Sequence, residues 1–243
     1  MYRHLSKGLT WIQERGPERP GIVQTATQRA HEFGAAWCPA DASVFIPQNA
    51  YLVSGEQTLL LDTLSPAFGG SIIDVLDQAL EGRPLDYLVI SHPDVPHAGN
   101  AARILRRYPD ATLVAPRYGD LHELYELGDA KKVGEGDSID LGGRVVRFHE
   151  ATFLDAPMHL WMSDDDTRTL FCVDWMGWPS INDETLLCLD EVVDATTTFA
   201  DLVDRYYEFH ARVMFWFQYV DVAKVAACLL YTSDAADESS SVW

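Results

Sequence analysis

The chain has 243 residues, 47% of them hydrophobic, and a formal net charge of −19. That length and apolar content suffice for one sizeable α/β domain with a true core. The acidity excludes nucleic acid and anionic membrane surfaces as partners, because both are bound through clustered Lys and Arg. No run of eighteen apolar residues occurs, so no transmembrane helix is expected. The N-terminal stretch lacks the apolar core of a secretory signal. Cys38, Cys172, Cys188 and Cys228 show no CxxC spacing, and a reducing cytoplasm is the expected location.

Residues 1–41 read as an N-terminal extension with the first strands, and the pattern becomes regular from Ala42. ASVFIP, NAYLVS and QTLLLDT predict a β-meander with apolar residues on both faces. GGSIIDVLDQALEG places Ile72, Ile73, Leu76 and Leu80 at helical spacing, with Gly82 as a stop. LDYLVIS predicts a buried strand, GNAARILRRYP a helix and ATLVAP a further strand, an alternating α/β pattern. RYGDLHELYEL and the turn-rich GEGDSIDLGG precede the strand RVVRFHEA. MHLWMSD and RTLFCVDWMG predict a hairpin turning on acidic residues. Residues 179–198 are irregular, as connections beside a site often are. FADLVDRYYEFHARVMFWF predicts a helix with Leu202, Tyr206, Phe209 and Val213 on one face. The aromatic residues Phe215, Trp216, Phe217 and Tyr219 read as its core packing.

CLLYTSDAADE, Cys228 to Glu238, departs from this pattern. It resembles the translation of a transposase-type sequencing-library adapter. The reading expects the natural sequence to run to about Ala227, with residues 228–243 a non-native tail foreign to the fold.

The chemistry concentrates in SHPDVPHAGN, Ser91 to Asn100, which follows a buried strand. His92, Asp94 and His97 form an H-x-D-x-x-H set. Imidazole and carboxylate together suit zinc, iron or manganese. Taken alone, the motif is weak, because two nearby histidines in a loop are more often plain surface polar groups. Asp155 and Asp174 follow later apolar strands, where a carboxylate is a turn former or a further ligand. His159 can substitute as a ligand or sit as a polar strand residue, and His149 reads as a polar strand position. His122 and His210 fall in helical segments, on solvated faces. Trp161, Trp175 and Trp178 line a site mouth or pack in the core.

NAYLVSGEQTLLLDTLSP, LDYLVISHPDVPHAGN, FLDAPMHLW, LFCVDWMG and YYEFHARVMFWF occur in that order. As an ordered set they resemble the metallo-β-lactamase superfamily, an αβ/βα sandwich, and within it the oxygen-binding di-iron domain of flavodiiron proteins. The resemblance covers residues 42–227, as an incomplete, C-terminally truncated domain. It implies metal ligands at His92, Asp94, His97, Asp155 and Asp174, with Asp174 bridging and Asp155 standing where the family has histidine. Asp62 matches the aspartate of the family's opening strands. Pro96 replaces the loop aspartate, which leaves the second metal only His97 and Asp174, so one occupied or weak site is expected.

The implied cofactor is iron, with zinc as the alternative. FMN is not expected in this chain, because the family's flavodoxin domain has no counterpart in it. The implied partners are a small-molecule substrate or a diatomic gas, and a homodimer is allowed. The implied function is dioxygen or nitric oxide binding or reduction in the full-length parent, with this chain alone inactive. The alternatives are a metal-dependent hydrolase of an ester, thioester or phosphoester, and a non-catalytic sensor.

Overall fold

The computed structural model describes residues 1–14, 22–45, 47–117, 129–151, 159–175, 178–181, 186–192 and 196–210. They form two compact units, one built from residues 1–16 and 47–175, the other from 17–46 and 176–243. The predicted segments at 118–128, around Asp155 and beyond 210 lie outside the described residues.

The first unit holds a seven-stranded sheet. Its first four strands are antiparallel: β1 (Tyr2–Ser6), β2 (Leu9–Glu14), β4 (Gln48–Ser54) and β5 (Thr58–Leu61). Three parallel strands continue from β5: β6 (Tyr87–Val89), β7 (Thr112–Pro116) and β8 (Lys131–Val133). Strand side chains alternate between faces. Leu60 therefore joins Ile72, Leu76, Leu88 and Ile104 in one core, under α2 (Gly69–Leu80) and α4 (Ala101–Arg107). Leu59 and Leu61 join Val89, Phe148, Leu160 and Met162 in the other. The second core is closed by a four-stranded antiparallel sheet of β9 (Ser138–Asp140), β10 (Val145–Glu150), β11 (Leu160–Asp164) and β12 (Thr169–Phe171). The helix α2 ends where expected, with Glu81 and Gly82 at φ +52° and +83°.

Three expectations are corrected. The ASVFIP strand, β3 (Val44–Phe45), leaves the meander and pairs with β13 (Ser180–Ile181) in the second unit. Pro47 follows it and has no N–H to offer a continuing ladder. The turn-rich GEGDSIDLGG contains a strand, β9, whose tight turn to β10 has Gly142 and Gly143 both at positive φ. His210 is buried rather than solvated, packed on the rings of Tyr206 and Phe209 at 4.3 and 4.9 Å between centroids.

Two features lock the units internally. In the first, Arg144 spans the two sheets. Its guanidinium donates to both oxygens of buried Asp164 (Nε at 3.0 Å, Nη2 at 2.6 Å) and to the carbonyls of Lys7 and Ser54. In the second, α1 (Ile22–Phe33) packs Ala26 and Ala30 against Val44 and Phe209. There α5 (Phe199–Glu208) starts in a capping box of Thr198 and Asp201 and sets Arg205 over the rings of Trp37 and Trp178. Among the described residues no helix is long and apolar enough to cross a membrane.

Candidate metal centre

The site lies at the C-terminal ends of β5 and β6, where parallel strands commonly open into binding crevices. β6 runs into Ser91 and His92, both fully buried. The chain then makes a single helical turn, α3 (Val95–Ala98), with Asp94 at its N-cap. Asp94 N-caps through its backbone, its carbonyl accepting from the N–H groups of His97 and Ala98 at 2.9 Å. Pro96 is accommodated because the first-turn N–H groups of a helix have no internal partner. Gly99 then passes tightly under Pro66: a Cβ there would lie 2.5 Å from Pro66 Cδ and 2.6 Å from the Val95 carbonyl oxygen. Asn100 anchors the loop end by donating from Nδ2 to the carbonyls of Thr63 and Leu64.

β12 delivers the third group. It ends at Phe171, and Val173 takes φ +56° before Asp174. A β-branched residue in that region is strained by about 1–3 kcal/mol and persists only where surrounding structure enforces it. Here the enforced turn aims Asp174 between the histidines. Asp174 Oδ1 lies 2.9 Å from His97 Nε2, and its Oδ2 lies 3.5 Å from His92 Nε2. The ligand atoms of His92, His97 and Asp174 all fall within 4.8 Å of one another. Two buried imidazole nitrogens and a carboxylate oxygen converging on one point fit a metal ion of the iron or zinc type.

Asp62 fixes the histidine on the far side. Its Oδ2 accepts from His97 Nδ1 at 2.8 Å, so Nε2 is the atom turned to Asp174. Burial opposes a charge on His97, but Asp62 and Asp174 outweigh it and push its pKa up to about 10. Burial likewise opposes charge on Asp174, and the hydrogen bonds of His92 and His97 hold its carboxyl well below the usual range instead. Cys172, two residues away, is pushed up to about 12 by burial, so it is a thiol in the metal-free chain.

Of the five residues expected from the sequence, the structure brings His92, His97 and Asp174 together. Asp94 stands at the rim, its side chain 63% exposed and its Oδ2 3.9 Å from His92 Nε2. Asp155 lies outside the described residues. His159 is buried, with its ring 4.5 Å from that of His92. The N–H of Leu160 donates to the carbonyl of Ser91 at 3.0 Å, stitching the start of β11 to the loop and bringing His159 there. Ser91 was missed, because nothing in a lone serine before a histidine signals a role. His149 is a strand residue bonded to Ser163. Trp161 and Trp175 are buried. A second group, Cys188, Asp190 and Glu191, is a helix start in which Glu191 accepts from the Cys188 N–H.

The chain is similar to several known proteins. "Putative diflavin flavoprotein A 1" of Thermosynechococcus vestitus is 34% identical over 142 residues, 56% of this chain and 24% of that protein. "Anaerobic nitric oxide reductase flavorubredoxin" of Aliivibrio salmonicida is 27% identical over 188 residues, 75% of this chain and 36% of that protein. The chain thus spans well under half the length of these curated relatives. Among solved structures, a metal-soaked flavodiiron core from Synechocystis sp. PCC6803 superposes with a TM-score of 0.67 at 20% identity, covering 97% of this chain and 53% of that one. Rubredoxin oxygen:oxidoreductase from Desulfovibrio gigas gives 0.65 at 20%, covering 87% and 48%. These two likenesses bear on the fold. Residues 44–174, more than half the chain, match the family model described as "Metallo-beta-lactamase superfamily". The chain belongs to the metallo-beta-lactamase superfamily.

Proposed function

We propose that this chain carries the metal-binding part of a flavodiiron-type oxidoreductase that binds or reduces dioxygen or nitric oxide. The observation that carries the reading is the convergence of His92, His97 and Asp174 within 4.8 Å at the ends of two sheets. Its neighbours in sequence include proteins named for nitric oxide reduction and for rubredoxin-oxygen oxidoreduction.

The proposed ligands are His92, Asp94, His97, Asp155 and Asp174, with buried His159 beside them. Asp174 presents one oxygen to each histidine, so its carboxylate would hold an ion together with the two rings. Iron, when bound, supplies redox electrons and open coordination positions for a diatomic ligand. The chain's own part is to hold both Nε2 atoms and the Asp174 oxygens in place. Pro96 brings no donor to the loop, which supports a single well-held ion. The lack of a carboxylate there also weakens the hydrolase alternative, in which a metal-bound water must be oriented for attack.

Metal analysis after anaerobic expression in iron-replete medium tests the reading. About one tightly held iron per chain is expected. Zinc in its place with hydrolysis of model esters would favour the hydrolase, and two tightly bound ions would overturn the single-site reading.

A further inference from the structure

We infer that Ser91 is a positioning residue that relays the orienting effect of Asp62 to His92, so that one carboxylate fixes both metal-binding histidines. The inference rests on the reading that His92 and His97 hold a metal.

Asp62 Oδ1 accepts from the Ser91 backbone N–H at 2.9 Å. Its Oδ2 accepts twice, from His97 Nδ1 at 2.8 Å and from the Ser91 hydroxyl at 3.0 Å. The Ser91 oxygen in turn lies 3.1 Å from His92 Nδ1. A hydroxyl has one proton to donate and lone pairs with which to accept. With that proton committed to the Asp62 carboxylate, which can only accept, Ser91 Oγ must accept from His92. The order is therefore His92 Nδ1–H to Ser91 Oγ–H to Asp62, and His97 Nδ1–H to Asp62. Both rings therefore carry a proton on Nδ1, and both Nε2 atoms face Asp174. Ser91 and His92 are fully buried and Asp62 nearly so, which shields the relay from water.

Hydrogen bonds of this kind set ligand tautomer and ring orientation, and their removal typically weakens metal binding by about 10–100-fold. Alanine at 91 removes the acceptor of His92 while leaving that of His97 intact. A cysteine keeps the volume but is a poor donor and acceptor, and threonine restores the hydroxyl.

The test titrates the full chain with Co2+ in its parent, S91A, S91C, S91T and H92A forms. S91A and S91C should bind about 10–100-fold more weakly than the parent, with S91T recovering most of the loss. In the Co2+-loaded parent, NMR should show two slowly exchanging, strongly shifted imidazole N–H signals. S91A and S91C should lose one and keep the other. If S91A and S91C bind as tightly as the parent with both signals retained, while H92A abolishes binding, the relay is refuted and the metal centre stands. If H92A binds Co2+ as the parent does, the metal-centre reading fails, and the relay with it.

Discussion

Divalent metal should bind this chain about a thousandfold more tightly at pH 9 than at pH 6, at about tenfold per unit. The reason is His97. Asp62 on one side and Asp174 on the other outweigh the effect of burial and push its pKa up to about 10. At neutral pH the metal-free ring is an imidazolium, donating from Nδ1 to Asp62 and from Nε2 to Asp174. A metal can take Nε2 only by displacing that proton. Asp174 sits well below the usual carboxylate range and releases none. One proton from His97 therefore leaves per ion bound, and the logarithm of the affinity rises by about one per pH unit below pH 10. Calorimetric titration with Zn2+ in buffers of different ionisation enthalpy counts that proton directly. The metal-free chain should follow the opposite course. A pKa raised above its unfolded value adds stability that is full below about pH 6.5 and lost as pH rises towards 10. Affinity that is flat from pH 6 to 9, with no proton released, would refute the placement of His97 Nε2 as a ligand atom.

Three further perturbations probe the frame. Arg144→Met strands Asp164 in the core and should cost about 3–5 kcal/mol in urea unfolding at pH 7. Burial opposes the Asp164 charge, but hydrogen bonds from Arg144 and Thr167 hold its pKa below the usual value. The parent therefore loses that stability as pH falls through it, and the gap to the variant should narrow in acid. Gly99→Ala places its methyl 2.5 Å from Pro66 Cδ and should cost about 1–3 kcal/mol, with weaker metal binding, because α3 must shift. Pro96→Asp restores a carboxylate in the first turn of α3, where a negative charge is tolerated. Equilibrium dialysis should then find tighter binding of a second ion, and unchanged stoichiometry would mean that position 96 does not face the site.

Hydrophobic periodicity made the helix and strand segments legible where it was strong. It gave α2 and α4, the parallel strands β6 and β7, and the β11–β12 hairpin. It failed where pairing is chosen at a distance. β3 looks like a meander strand, yet its partner β13 is more than a hundred residues away in sequence. His210 looks solvated, yet its surroundings are set by the packing of the second unit's aromatic rings.

At the site, the sequence determined which residue types stand at the ends of strands: His92, His97 and Asp174 could be named from motif order and residue chemistry. Only the tertiary structure decided which atoms meet. It turned Asp94 to the rim and brought His159 against His92. It also made Asp62, 29 residues before Ser91, the acceptor for that serine and for His97. The physical reason is range. Propensity and periodicity act over a turn or a strand, whereas a ligand set is made by hydrogen bonds and packing between segments that the chain brings together only on folding.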